Sequence, residues 1–84
     1  GLMRIEKFGA SWCGPCKVMD RNLDEFAKKH PEVIINRHDV DEEEDIVANL
    51  GIKSVPTTFI YNDEDELLNK FVGVATIAQL ESLL

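Results

Sequence analysis

Two cysteines, Cys13 and Cys16, are the residues whose type and spacing most directly predict chemistry in this chain. A disulfide between residues so close in sequence closes a very small loop and constrains the unfolded chain only weakly. Small secreted domains that rely on disulfides for stability usually carry about four cysteines or more. The pair therefore indicates thiol–disulfide chemistry rather than a structural crosslink.

The two thiols are expected to differ because they lie at different depths in the start of a helix. Cys13 lies at or just before the first helical residue, where free N–H groups and the helix dipole favour negative charge and lower the pKa of a thiol. Cys16 lies one turn further on and is expected to be more buried, with a higher pKa. We therefore expect Cys13 to attack a disulfide and Cys16 to resolve the mixed disulfide.

The residues around the cysteines have types that suit such a site. Gly14 and Pro15 set the short turn, and Pro15 fits an early helical position because proline has no backbone N–H. Trp12 screens the pair and offers a flat apolar contact to a substrate. Lys17 either helps to lower the thiol pKa or is merely exposed, and the sequence leaves both interpretations open.

The apolar pattern of the first half predicts a strand, a helix and a second strand. Leu2–Ala10 is the first strand, and the helix after it ends before Pro31, because proline disfavours helical geometry in the residue before it. Val33–Val40 begins with β-branched residues and is expected to pair in parallel with the first strand. The helix is predicted from apolar residues at helical spacing, which are Cys16, Met19, Leu23, Phe26 and Ala27.

The second half predicts a short helix and a hairpin. Asp41 is the expected N-cap of the short helix, with Glu44 at the capping-box position, and Gly51 ends the helix. Thr57–Tyr61 and Leu67–Val72 are predicted as two strands joined by a polar turn.

A last helix is predicted at the end of the chain, where Thr76 and Gln79 form a second capping box. The resulting element order is βαβ-α-ββα, an α/β arrangement with a four-stranded mixed sheet flanked by three helices. Four aromatic residues are expected in the core, namely Phe8, Phe26, Phe59 and Phe71.

Length and charge limit the classes of function. The chain has 84 residues and a net charge of −7, which predicts a single domain over 1–84 and a monomer. Nucleic acids and anionic membranes are not expected partners, because both require basic surfaces, and no apolar run is long enough to span a membrane. Met3 is interpreted as the native start, with Gly1 and Leu2 as remnants of an expression tag.

The chain resembles the thioredoxin family from about Ile5 to Leu84. The residues that carry the resemblance are Trp12–Lys17, Gly51–Thr57 and Gly73. The resemblance implies a thioredoxin-like fold in which Pro56 is cis and faces the cysteines. It also implies that the backbone of Val55 pairs with an extended substrate, and that Gly73 lines the same groove.

The sequence departs from the family pattern at three places. The family usually has a further strand and helix before the strand that leads to the cysteines, and this chain lacks them. Many members also carry a buried Asp five residues before the Trp, where this chain has Lys7 beside Glu6. Either Glu6 substitutes for that acid, or water does, or resolution is slower. Arg37, often the neighbour of the acid, is interpreted as a strand residue with its head in solvent.

The resemblance implies a protein-disulfide reductase that needs no metal or organic cofactor. Disulfide-containing proteins are the expected substrates, and a thioredoxin reductase or a small-molecule thiol is the expected reductant. The absence of a signal and of structural disulfides favours the cytoplasm, although a mature exported domain would look the same. The reduction potential of the cysteine pair decides the direction of flux.

Three alternatives to this function remain open. A glutaredoxin-like, glutathione-dependent oxidoreductase would suit the chain length, and a redox-regulated interaction module would bind partners without turnover. A zinc site would have to add His30 and His38 to the two cysteines, but the spacing of these histidines is unfavourable and both are expected at the surface. The acidic run Asp41–Asp45 is interpreted as a solvated helix start rather than a cation site.

Overall fold

The computed structural model describes residues 2–84, so the prediction for Gly1 lies outside the described residues. Within 2–84 the element order is the predicted βαβ-α-ββα. The elements are β1 (Arg4–Gly9), α1 (Gly14–Lys29), β2 (Ile34–Asp39), α2 (Glu44–Leu50), β3 (Thr57–Tyr61), β4 (Leu67–Val72) and α3 (Ile77–Glu81).

The strands form one mixed sheet in the order β2-β1-β3-β4. β1 pairs in parallel with β2, as predicted, and antiparallel with β3, which in turn forms a hairpin with β4. Side chains alternate between the two faces of a strand, so Ile5, Lys7 and Gly9 share one face of β1. Glu6 and Phe8 project from the other face.

Helix α1 packs its apolar side onto the Ile5 face of the sheet. Its buried residues are Cys16, Met19, Leu23 and Phe26, four of the five apolar positions that predicted the helix. The last three lie in a core cluster that also contains Ile5 and Ile60 from the sheet and Leu80 from α3. The main hydrophobic core thus fixes β1 and α1 to each other.

Three of the four aromatic residues predicted in the core are buried, and the fourth is partly buried. Phe26 is fully buried under α1, and Phe8 and Phe59 are buried with their rings edge to face at a centroid separation of 5.9 Å. Phe71 is only partly buried and packs against the core from β4.

One predicted helix cap is wrong. Helix α2 begins at Glu44, its N-cap residue is Glu43, and no side chain caps it. The Asp41 carboxylate instead accepts a hydrogen bond from the Trp12 indole at 3.0 Å. By contrast, Gly51 ends α2 with a left-handed φ of 69°.

The Thr76 and Gln79 capping box of α3 is confirmed in both directions. The Thr76 hydroxyl accepts from the Gln79 backbone N–H at 3.1 Å, and the Gln79 side chain accepts from the Thr76 N–H at 2.8 Å.

Both histidines are more enclosed than the expected surface positions. His30 Nε2 lies 2.7 Å from a Glu81 oxygen, which ties the end of α1 to α3. His38 lies between Glu6 at 2.6 Å and Glu43 at 2.8 Å. None of the helices within residues 2–84 combines the length and apolar content needed to cross a membrane.

Candidate functional site

Cys13 and Cys16 are joined by a disulfide where β1 leads into α1. Their Cα atoms are 5.3 Å apart, within the span that a disulfide bridges. Cys13 is the N-cap of α1 in an extended conformation, and its sulfur accepts the Cys16 backbone N–H at 3.1 Å. Cys16 is the more buried of the two, with 1% of its surface exposed against 5% for Cys13.

The local sequence explains this placement. The Cys13 N–H donates to the Ala10 carbonyl at 3.2 Å, which closes a turn directly before the helix. Gly14 is the first helical residue, and Pro15 comes next, where its missing N–H leaves no intrahelical bond unmade. The Cys16 N–H in the first turn of the helix therefore points at the sulfur of Cys13, where it would stabilise a thiolate.

A second segment of the chain meets the disulfide from the β3 side. The Val55 carbonyl oxygen lies 3.7 Å from Cys13 Sγ, and the Val55–Pro56 peptide bond is cis. The Gly73 N–H donates to the Pro56 carbonyl at 2.8 Å, and Gly73 has a φ of 92° that favours glycine. The structure thus brings together Cys13, Val55, Pro56 and Gly73, which are distant in sequence.

Trp12 forms one wall of an apolar groove beside the disulfide. Its side chain is 69% exposed, although the bond to Asp41 holds the indole in place. The groove has a volume of about 350 Å³. Its apolar lining residues are Trp12, Val40, Val47, Ile52 and Val55.

The interior side of the disulfide holds a chain of charges that the sequence did not predict. Lys7 is buried on β1, and its Nζ forms a salt bridge of 3.1 Å with an Asp20 oxygen from α1. The same oxygen accepts from Arg37 at 3.1 Å, and Arg37 also binds Asp24 at 2.7 Å. The Arg37 head is therefore held by two carboxylates rather than by solvent alone. Helical spacing was the available signal, since Asp20 lies one turn after Cys16.

Gly9 is a second residue that sequence reasoning missed. A Cβ at Gly9 would stand 2.6 Å from Lys7 Nζ and 3.2 Å from Cys16 Sγ. Both atoms lie close to the same point, so the distance from Lys7 Nζ to Cys16 Sγ cannot exceed the sum of these two distances. The missing side chain of Gly9 is what leaves room for the lysine head beside the inner cysteine.

Glu6 and Lys17 are not brought to this interior site. Glu6 lies on the other face of β1 and accepts hydrogen bonds from Asn36 at 2.7 Å and Arg4 at 2.9 Å. Burial acts to raise the pKa of Glu6, but hydrogen bonds from Asn36, His38 and Arg4 outweigh burial and lower that pKa below its ordinary value. Lys17 is exposed on α1.

The arrangement of donor atoms does not form a metal centre. Within residues 2–84 no three side chains of the His, Cys, Asp or Glu type are grouped so that they could hold an ion.

Comparison with known proteins places this geometry in a family. The family model described as Thioredoxin matches residues 3–84. The mitochondrial thioredoxin of Mus musculus is 36% identical over 81 residues, which are 95% of this chain and 48% of that protein. The thioredoxin H-type of Ricinus communis is 40% identical over 73 residues, covering 87% of this chain and 60% of that protein.

A solved structure gives the same result for the fold. The oxidised form of mitochondrial thioredoxin 3 from Saccharomyces cerevisiae superposes with a TM-score of 0.83 at 31% identity, covering 96% of this chain and 76% of that one. The chain spans about half the length of the first curated relatives that it matches. With a family model that covers nearly all of the described residues, the chain belongs to the thioredoxin family.

Proposed function

We propose that this chain is a thiol–disulfide oxidoreductase that reduces disulfide bonds in proteins. The Cys13 thiolate attacks one sulfur of the substrate disulfide, and the other substrate sulfur leaves with the electron pair. The Cys16 thiolate then attacks Cys13 Sγ, which forms the Cys13–Cys16 disulfide and releases the second substrate sulfur as a thiolate. The observation that carries this proposal is the position of Cys13 as N-cap, with the Cys16 N–H donating to its sulfur.

The groove beside Cys13 would bind an extended segment of the substrate. Within residues 2–84 neither backbone group of Val55 takes part in a backbone–backbone hydrogen bond, so both are available to pair with a substrate strand. Trp12 would supply an apolar contact. Gly14, Pro15, Pro56 and Gly73 would let the substrate backbone approach the sulfur closely, because none of them carries a long side chain.

Water, rather than Glu6, would accept the proton of Cys16 during resolution. Glu6 projects from the face of β1 opposite to Lys7, and its carboxylate is engaged by Arg4, Asn36 and His38. Its lowered pKa also makes it a weaker base than an ordinary carboxylate. Lys17, exposed at the start of α1, would add a solvent-screened positive charge near Cys13.

The remaining parts of the proposal concern partners and setting. The reaction would use no metal or organic cofactor, and a thioredoxin reductase or a small-molecule thiol would regenerate the dithiol. We propose one domain over 1–84 that acts as a monomer in the cytoplasm, since both cysteines of the sequence belong to the reactive pair. The similar mouse and yeast proteins are mitochondrial thioredoxins, which makes the mitochondrion the competing compartment.

The first experiment is a redox titration of the pair against dithiothreitol, monitored by the fluorescence of Trp12, the single tryptophan. Mass shifts after thiol alkylation give an independent count of free thiols. We expect one two-electron transition at a low potential that resists reduction by glutathione. A chain that forms no intramolecular disulfide at any poise would overturn the proposal.

Turnover with a disulfide-bonded test protein then separates the rival activities. Cys13→Ser is expected to abolish reduction, and Cys16→Ser is expected to accumulate a mixed disulfide between Cys13 and the test protein. Activity that requires glutathione would favour the glutaredoxin-like alternative. Binding of the test protein without turnover by the unsubstituted chain would favour the interaction module.

A further inference from the structure

We propose that the Lys7 ammonium stabilises the thiolate of Cys16 and thereby raises the reduction potential of the Cys13–Cys16 pair. This inference rests on the proposed thiol–disulfide exchange and assigns the interior charge that tunes it. Stabilising the thiolate favours the reduced pair over the disulfide, and a pair whose reduced form is favoured is the stronger oxidant.

Because Gly9 has no side chain, the Lys7 ammonium can approach Cys16 Sγ. The position of a Cβ at Gly9 lies 2.6 Å from Lys7 Nζ, 2.9 Å from Lys7 Cε and 3.2 Å from Cys16 Sγ. No side chain therefore separates the nitrogen from the sulfur on the β1 side. The Lys7 side chain is only 7% exposed, so its charge acts on the buried Cys16 with little screening by solvent.

Charges on the neighbouring elements hold Lys7 without cancelling its effect. Asp20 of α1 binds the ammonium at 3.1 Å, but its side chain is 35% exposed and its bonded oxygen is shared with Arg37 of β2. Solvent and Arg37 both weaken the field of this carboxylate at the sulfur. On the β3 side the register partner of Lys7 is Thr58, which is neutral. Of these charged groups the Lys7 ammonium is the most buried, so its charge is the one that solvent screens least.

The chemical step balances without a further reactant. When a dithiol donor reduces the pair, the donor sulfur attacks Cys13 Sγ, and the Cys13–Cys16 bond breaks with its electron pair on Cys16 Sγ. The Lys7 ammonium stabilises this leaving thiolate while keeping its own proton. Resolution of the donor's mixed disulfide by its second thiol then frees Cys13. Protons released by the donor go to solvent.

Two substitutions with opposite expected signs test the inference. Lys7→Met removes the charge but keeps a buried apolar chain. At a pH where Cys16 is ionised in both proteins, we expect the equilibrium constant for reduction by dithiothreitol to fall about tenfold, which corresponds to about 30 mV. Asp20→Asn removes the counter-charge, and we expect the same constant to rise severalfold.

The matched control repeats the Lys7→Met change at an exposed lysine on the active-site helix. Lys28 lies in the last turn of α1, twelve residues after Cys16, which is about 18 Å along a helix. That distance exceeds the screening length of about 8 Å at physiological salt, so Lys28→Met is expected to leave the equilibrium constant unchanged. Urea unfolding of each reduced variant checks that it is folded.

A second measurement does not require thiol–disulfide exchange. In a Cys13→Ser background, the ultraviolet absorbance of the Cys16 thiolate is measured against pH, and Lys7→Met is expected to move the midpoint up by about one pH unit. An unchanged midpoint, or potentials that Lys7→Met and Asp20→Asn shift in the same direction, would overturn the inference. If the unsubstituted chain turns over substrate but the variants give either of these results, the inference about Lys7 fails and the proposed oxidoreductase function stands. If the unsubstituted chain forms no disulfide, the proposed oxidoreductase function fails, and the Cys16 titration still tests the effect of Lys7.

Discussion

Replacing Gly9 by alanine should destabilise the chain through its effect on Lys7. The new methyl carbon would lie 2.6 Å from Lys7 Nζ, 2.9 Å from Cε and 3.2 Å from Cys16 Sγ. The end of a lysine side chain is flexible, and in solvent it would move aside at little cost. Here the side chain is buried and bound to Asp20 at 3.1 Å, so moving it weakens that ion pair in a closely packed site.

The expected cost lies between two limits. Adding a methyl group to a packed interior costs about 1–3 kcal/mol. Loss of one partner from a fully buried ion pair costs about 3–5 kcal/mol. Asp20 is partly exposed and keeps Arg37 as a partner, so the lower range applies to Gly9→Ala. A loss of about 2 kcal/mol would lower the midpoint of thermal unfolding by about 8–16 °C in a chain of this size.

A double-mutant cycle separates the lysine contact from other effects of the methyl group. The free energy of unfolding is measured in urea for Gly9→Ala, Lys7→Ala and the double variant, each in the oxidised form. With the lysine head removed, Gly9→Ala should cost at least about 1 kcal/mol less, because the contact that it disturbs is no longer there. Gly14→Ala is the matched control, because no atom lies within 4 Å of its added Cβ, and it should leave stability unchanged or raise it by up to about 1 kcal/mol. The same cost for Gly9→Ala in both backgrounds would refute the reasoning.

Three further predictions concern stability away from the disulfide. Thr58→Val should stabilise the chain by about 1 kcal/mol in urea, because the Thr58 hydroxyl is buried without a hydrogen-bond partner in the part of the chain that the structure describes; a loss would show an unseen partner. Thr76→Ala should cost about 1 kcal/mol in urea unfolding through the lost N-cap of α3. The folded pKa of Glu6 is lowered, so its contribution to stability is present above its ordinary value of 4.5 and is lost as the pH falls through the folded pKa. The urea unfolding midpoint should therefore decline less over this pH range in Glu6→Gln than in the unsubstituted chain, and an equal decline would contradict this.

The elements could be predicted from sequence because their signals are local. The hairpin strands Thr57–Tyr61 and Leu67–Val72 have the predicted bounds. The capping box of α3 depends on residues three positions apart, and both of its bonds are present. Helix α1 was predicted from apolar spacing, and it ends within two residues of Pro31. In each case the decisive contacts lie within one turn or one strand pair.

The wrong cap at Asp41 shows where local signals fail. An acid before a short helix is a good N-cap candidate, and nothing nearby argues against it. The carboxylate has a competing donor in the Trp12 indole, which is 29 residues away in sequence. Only the packing of the loop after β1 against the loop after β2 brings the two together. The partners of Arg37, Asp20 and Asp24, were missed for the same reason, since both lie on a different element.

Position 7 illustrates how a charge pattern is misjudged when one residue is considered alone. The resemblance to thioredoxins predicts an acid there, and a lysine suggests a site that lacks its proton acceptor. The structure places an acid close by, on α1 instead of β1, with Lys7 of β1 and Arg37 of β2 bound to the same Asp20 oxygen. The strand thus carries the positive charge and the helix the negative one. The Lys7 head is 7% exposed against 35% for Asp20, so solvent screens the lysine charge less. If Lys7 stabilises the Cys16 thiolate as proposed, the reversed charges favour the reduced pair rather than slow its chemistry.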